Sequence, residues 1–236
     1  MSQKIGSIVG VNGNMVSVIV DESVNVMQNE VAFILHGDEQ LMAEVVRIRN
    51  NVANLQVFES TKGLKVGDQV DFSNHMLAVQ LGPGLLGQIF DGLQNPLPKI
   101  AEEFGFFLAR GKMRDALTGE KKWSFTPQAK PGDTVVKGIP LGNVPEGIFK
   151  HWIMVPFDFE GEYTVEYVAP AGDYGIDEVI ARLRDERGTV REVGMSFRWP
   201  VKIPIAAYRQ KLVPRAPLIS GVRIIDTFYP VARGGT

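Results

Sequence analysis

From the N-terminus to residue 72 the apolar residues come in short runs alternating with polar ones, and a turn signal closes every run. "IGSIVGV" and "MVSVIV" flank "NGN", and Asn-Gly readily adopts the positive φ of a tight hairpin turn. "EVAFIL", "LMAEVVRIR" and "VANLQVF" follow, parted by "HGDEQ" and "NN", and "LKVGDQVDF" ends the set with a Gly-Asp turn. A period of two over so few residues is a strand pattern. Strands this short and evenly spaced predict a small closed barrel over 1–72, which also removes exposed sheet edges. The 25 Gly and 14 Pro are spread along the chain, so short strands and turns are expected elsewhere too, and the fold class is mainly β.

Residues 73–109 change character. "LGPGLLGQIFDGLQNPLPKIAEEF" mixes glycine turns with two apolar stretches of helical spacing, Leu85/Leu86/Ile89 and Leu97/Ile100/Phe104. This segment reads as a strap onto a larger domain. Residues 110–190 turn β-rich again, with Pro-Gly-Asp and Glu-Gly turns in "AKPGDTVVKGIPLGNV" and "HWIMVPFDFEGEYTVEYVAPAGDYGIDEVIARL". "IDEVIARLRDE" fits a helical turn through Ile176, Val179, Ile180 and Leu183, and a strand reading competes; the strand is favoured for "VIARL". In 191–236, Ser220 is placed to cap a helix over 221–229, with Val222, Ile225 and Tyr229 on one face and Pro230 as its stop.

Composition narrows the functions available. There are 25 basic and 27 acidic residues, so no global field points to nucleic acid or an anionic membrane. The absence of cysteine removes disulfides, thiolate metal sites and a thiol nucleophile. "MSQKIGSIVG" lacks the apolar core of a signal peptide. No run reaches the ~20 apolar residues that span a bilayer.

Candidate chemistry is sparse. His36, His75 and His151 lie far apart, without metal-ligand spacing. "LGPGLLG" at 81–87 invites a phosphate-loop reading, but Pro83 removes one N–H and no lysine follows until Lys99; a turn between domains is expected. Arg110, Lys112, Arg114, Lys121 and Lys122 form a basic cluster diluted by Asp115 and Glu120, with Trp123 and Phe125 nearby, and read as a solvated loop. The 130–185 segment has the rhythm of biotinyl and lipoyl carrier barrels and puts Lys150 near their hairpin lysine, but Phe149, His151 and Trp152 are poor neighbours for a modified lysine. Asp21/Glu22, Glu102/Glu103 and Asp177/Glu178 fall in turns or on polar faces. No complete catalytic constellation emerges, and no catalytic, nucleotide-binding or metal-ligating residue is assigned.

Five segments in order carry a resemblance: "LQVFESTKGLKVGD", "LGPGLLGQIFDGLQNPL", "HWIMVPFDFEG", "RWPVK" and "PLISGVRIIDTFYPVARGG". The chain resembles the N-terminal portion of the catalytic A subunit of V-type rotary ATPases and ATP synthases, over nearly its whole length. Segment 110–190 falls where that subunit carries an insertion that its B partner and the F-type β subunit lack. In the family, "PV-x-K-GG" leads into a strand and a GPFGAGKT-type phosphate loop; here the match is "PVARGGT", so the chain reads as stopping just before that loop. Arg233 stands where the family often has lysine, and "KIPIAAYRQKL" departs from the family's Pro/Arg-rich linker.

The resemblance implies three parts: a barrel over 1–72 in a hexameric crown, the incomplete edge of a P-loop α/β nucleotide domain over 73–109 and 191–236, and an inserted, barrel-sandwich-like bulge over 110–190. It implies ATP or ADP with Mg as ligands of the parent subunit, bound by residues beyond Thr236, and none held by this chain. Implied partners are B subunits in an alternating hexamer, central-stalk subunits, and a peripheral stalk meeting the insertion, with "FLARG" and "RWPVK" as hinges. Nucleic acid and direct membrane insertion are not implied. The implied place is the cytoplasmic side of a membrane, as a peripheral part of the complex, and the implied activity is ATP synthesis or hydrolysis driving proton or sodium transport. The competing expectations are a stand-alone β-barrel binding or assembly module, a carrier modified at Lys150, and a short homologue that is purely an assembly part.

Overall fold

The structure is a computed structural model that describes residues 5–21, 25–105, 110–119, 121–208, 210 and 212–234. Six strands close the N-terminal barrel: β1 (Ile5–Asn12), β2 (Met15–Val20), β3 (Glu30–His36), β4 (Glu39–Arg49), β5 (Val52–Val57) and β6 (Gln69–Met76), in the order β1-β2-β5-β4-β3-β6. The "NGN" turn behaves as its residues require. Asn12 pairs with Met15, and Gly13 takes the positive φ of 58°. Inward positions of all six strands supply one core, including Ile8, Val16, Val18, Ile34, Leu41, Leu55 and Val70. Strand β6 runs past residue 72 to Met76.

β7 (Ala78–Leu81) follows, and then a stretch without helix. The helical spacing of Leu85, Leu86 and Ile89 is misleading: Gly84 and Gly87 sit at φ 110° and 76°, which an α-helix excludes. Leu85 packs into a neighbouring core, while Leu86 and Ile89 face solvent. The second predicted helix is present as α1 (Leu97–Phe104), entered through Pro96 and closed by Gly105, with Ile100 buried.

Eight strands form the inserted region. β8 (Trp123–Pro127), β10 (Pro140–Glu146), β11 (Phe149–Met154) and β13 (Gly172–Tyr174) make one sheet, in the order β11-β10-β8-β13. β9 (Thr134–Val135), β12 (Tyr163–Val168), β14 (Ala181–Asp185) and β15 (Val190–Val193) make the other, in the order β15-β14-β12-β9. β10 gives Val144 to one buried cluster and Leu141 to the next, which ties the sheets together. "VIARL" is strand from Ala181 onward. β16 (Phe197–Pro200) then returns to pair with β7, Phe197 opposite Leu81 and Pro200 opposite Ala78.

Residues Ile205–Thr236 form a separate compact unit. Its helix α2 spans Arg223–Phe228, shorter than the expected 221–229, and its N-cap is Val222 rather than Ser220. Ser220 instead donates its N–H and hydroxyl to Asp226, which also accepts the Gly221 N–H. Those bonds hold the Asp226 carboxyl below its ordinary value. Among the described residues of this unit, none is buried.

Candidate functional site

The residues singled out by sequence are dispersed, and several are taken up by local contacts. His36 Nδ1 lies 3.0 Å from Asp68 Oδ2, and the Lys65 N–H donates to the same oxygen at 2.9 Å. The Lys65 amide first, and then His36, hold the Asp68 carboxyl below its ordinary value. His75 Nδ1 lies 3.3 Å from the Met76 carbonyl oxygen. Among the described residues no group of His, Asp and Glu is arranged to hold a metal ion.

The basic cluster is mostly spent on internal contacts. Arg110 pairs with Glu39 at 3.0 Å and donates to the Lys62 carbonyl. Arg114 binds Glu103 and lies over the Phe104 ring, and Lys121 stands 3.9 Å above the Trp123 ring. Lys150 is exposed and pairs with Pro145, next to the Gly147–Ile148 turn. Of the carboxylate pairs, Glu103 goes to Arg114, and Glu178 accepts the Gly175 N–H. Glu22, Glu120, Gly235 and residues 107–109 of "FLARG" lie outside the described residues.

The glycine loop does grip an anion, and that anion belongs to the protein itself. Gly84 N–H donates to Glu146 Oε1 at 2.6 Å, and Leu86 N–H donates to the same oxygen at 3.2 Å. His151 Nδ1 lies 2.6 Å from Oε2. Glu146 is only 6% exposed, so these bonds replace the water its charge has lost. No local pattern announces this pairing, because the partners are 62 residues apart.

Both crossings into the inserted region carry contacts to the barrel. At the first, Arg110 holds Glu39, and Gly111 N–H donates to both Glu59 oxygens at 3.1 and 3.0 Å. Burial pushes the Glu59 carboxyl above its ordinary value. At the second, Arg198–Pro200 lie within β16, and Lys202 Nζ stands 2.8 Å from Glu44 Oε1 and donates to Asn29 at 3.1 Å. Both crossings therefore end on buried or half-buried carboxylates of the barrel, and residues 1–204 form one compact unit.

The barrel exterior carries the other notable feature. Ile5, Val9 and Val11 on β1 and Met15 and Ile19 on β2 are each more than a third exposed. These large apolar side chains lie on two paired strands and form an exposed apolar band. Among the described residues no helix is long and apolar enough to cross a membrane.

A closed six-stranded barrel followed by a pair of four-stranded sheets is the architecture that the ATP synthase alpha/beta family models describe for their beta-barrel and barrel-sandwich domains. Residues 3–74 match the ATP synthase alpha/beta family beta-barrel domain, and residues 114–202 match the ATP synthase alpha/beta subunit barrel-sandwich domain. The chain belongs to the ATP synthase alpha/beta family, and its relatives there are V-type ATP synthase alpha chains. It is 52% identical over all 236 residues to the V-type ATP synthase alpha chain of Treponema denticola, and 50% identical to alpha chain 1 of Treponema pallidum. The alpha chain of Borreliella burgdorferi is 50% identical over 231 residues. The chain spans 40% of the length of these relatives.

Proposed function

We propose that this chain is the N-terminal, assembly-bearing portion of the catalytic alpha chain of a V-type ATP synthase. The observation that carries the proposal is the whole-length similarity to such chains, borne on a barrel with an exposed apolar band on β1 and β2. The barrel holds alternating catalytic and B-type subunits in a hexameric crown. The insertion stands out from that ring and meets the peripheral stalk, resisting rotor torque, while central-stalk subunits engage the assembled complex. The parent subunit binds ATP or ADP with Mg and joins ATP synthesis or hydrolysis to proton or sodium transport, as a peripheral complex on the cytoplasmic face of the membrane.

No residue of this chain is given a catalytic, nucleotide or metal role. Its 236 residues contain no GxxxxGK[ST], the loop whose backbone N–H groups and lysine cradle the phosphates. The chain by itself is therefore expected not to hydrolyse Mg-ATP, and saturable turnover by it would contradict this. The test of the whole reading is the reading frame beyond codon 236. A strand and a GPFGAGKT-like loop within about ten residues support it, whereas an immediate stop codon overturns it.

A further inference from the structure

We propose that Glu146 is a latch that fastens the β10–β11 hairpin of the inserted region to the 82–87 loop, so that the two segments open and close together. The hairpin's strands are paired and partly buried through Val144 and Ile153, so the parts in question are the unpaired loop and the hairpin tip. The loop has neither helix nor ladder pairing, and two of its glycines are at positive φ. The hairpin tip projects into solvent, with Ile148 93% exposed and Phe149 59% exposed. Few buried contacts and exposed backbone are the marks of a locally opening segment.

What joins them is one carboxylate. Its Oε1 takes the N–H groups of Gly84 and Leu86, and its Oε2 faces His151 on the returning strand of the same hairpin. Bonds to an ionised acceptor are stronger than neutral ones, and a single side chain here satisfies two loop amides and one ring nitrogen at once. The surroundings fix the loop in reach. A Cβ on Gly82 would come within 2.9 Å of Ser196 Cβ, and one on Gly84 within 3.2 Å of Leu117 Cδ2. Leu85 reaches into the core that holds Trp123 and Val144. The glycines let the backbone come close enough for its amides to point at Glu146. Without the carboxylate those amides and His151 lose their common acceptor.

Hydrogen–deuterium exchange on the 236-residue chain tests this. In Glu146→Ala, exchange across 83–88 and across 146–152 is expected to rise together, by about tenfold or more, while the barrel amides of Val16, Val18 and Leu55 keep their protection. Added formate, a free carboxylate able to occupy the vacated place, is expected to slow exchange in both segments of that variant and leave the unsubstituted chain unchanged. Unchanged exchange in both segments overturns the latch. So does a rise in one segment alone, or a rise shared equally by the barrel. Should Glu146→Ala fail to fold, Glu146→Gln is read by the same criteria, with a smaller rise expected in both segments because one neutral oxygen remains.

Discussion

Glu59 and Asp68 belong to the same barrel region and respond to protons in opposite directions. Asp68 is bound by the Lys65 amide and His36, so its folded-state value lies below the ordinary 3.8. Its contribution is complete above that ordinary value and is lost as pH falls through the lowered one. Glu59 is raised above the ordinary 4.5 by burial. The folded chain then holds the proton more tightly than the unfolded one, so stability falls as pH rises from 4.5 through the raised value. Urea titrations from about pH 3 to 7 should therefore separate the two sites. Glu59→Gln should gain on the parent as pH rises through that window. Asp68→Asn should trail the parent at neutral pH and close the gap in acid. Parallel curves for either variant would contradict its assignment. Gly142 gives a steric counterpart. A Cβ there would fall on the Phe125 ring and lie 2.6 Å from the Thr126 carbonyl oxygen, and Phe125 is itself fully buried. Gly142→Ala should cost about 1–3 kcal/mol of unfolding free energy. Gly10→Ala, whose Cβ meets nothing within 4 Å, should stay within about 0.5 kcal/mol.

At the scale of elements, the joints decide how the inserted region is carried. Lys202 follows β16 and neutralises Glu44, whose side chain is 9% exposed. Lys202→Met would leave that carboxylate without its cation. The lysine is about half exposed, so water replaces part of the loss, and about 1–2 kcal/mol is expected rather than the larger cost of breaking a fully buried pair. The double variant with Glu44→Gln should recover part of it, and a double-mutant cycle with no interaction energy would show that the pair is idle. The elements themselves were largely legible in the residues. "NGN" specified its hairpin, period-two alternation specified the barrel strands, and Leu97, Ile100 and Phe104 specified α1. The Leu85/Leu86/Ile89 helix failed because periodicity ignores glycines held at positive φ. The joints were illegible for a different reason: Glu146 with Gly84, and Glu44 with Lys202, meet only after the chain has folded, and no local pattern encodes a contact over such separations.

At the scale of the whole molecule, two surfaces expose large apolar side chains, and they call for different tests. Within Ile205–Thr236 the described residues bury no side chain, and α2 leaves Ile224 and Phe228 exposed at 65% and 73%. A six-residue helix without a buried face has little stability of its own. Limited proteolysis should cut this unit first and leave residues 1–204 as a resistant product; cleavage starting in the barrel would contradict that order. The barrel's apolar band is the second surface, and it bears directly on the proposed crown. Val9 and Ile19 are 46% and 42% exposed, so replacing both with lysine removes little core packing. The unfolding free energy of Val9→Lys/Ile19→Lys should stay within about 0.5 kcal/mol of the parent for each site. Placed in the complete alpha chain and mixed with its B-type partner, the same pair of charges would have to be desolvated at the ring contact without a counter-ion. Assembly measured by sedimentation should then weaken by at least about tenfold, because an interface tolerates an unpaired buried charge poorly. If the rings form with undiminished affinity, the β1–β2 band is not the crown contact, and the apolar exposure there needs another partner.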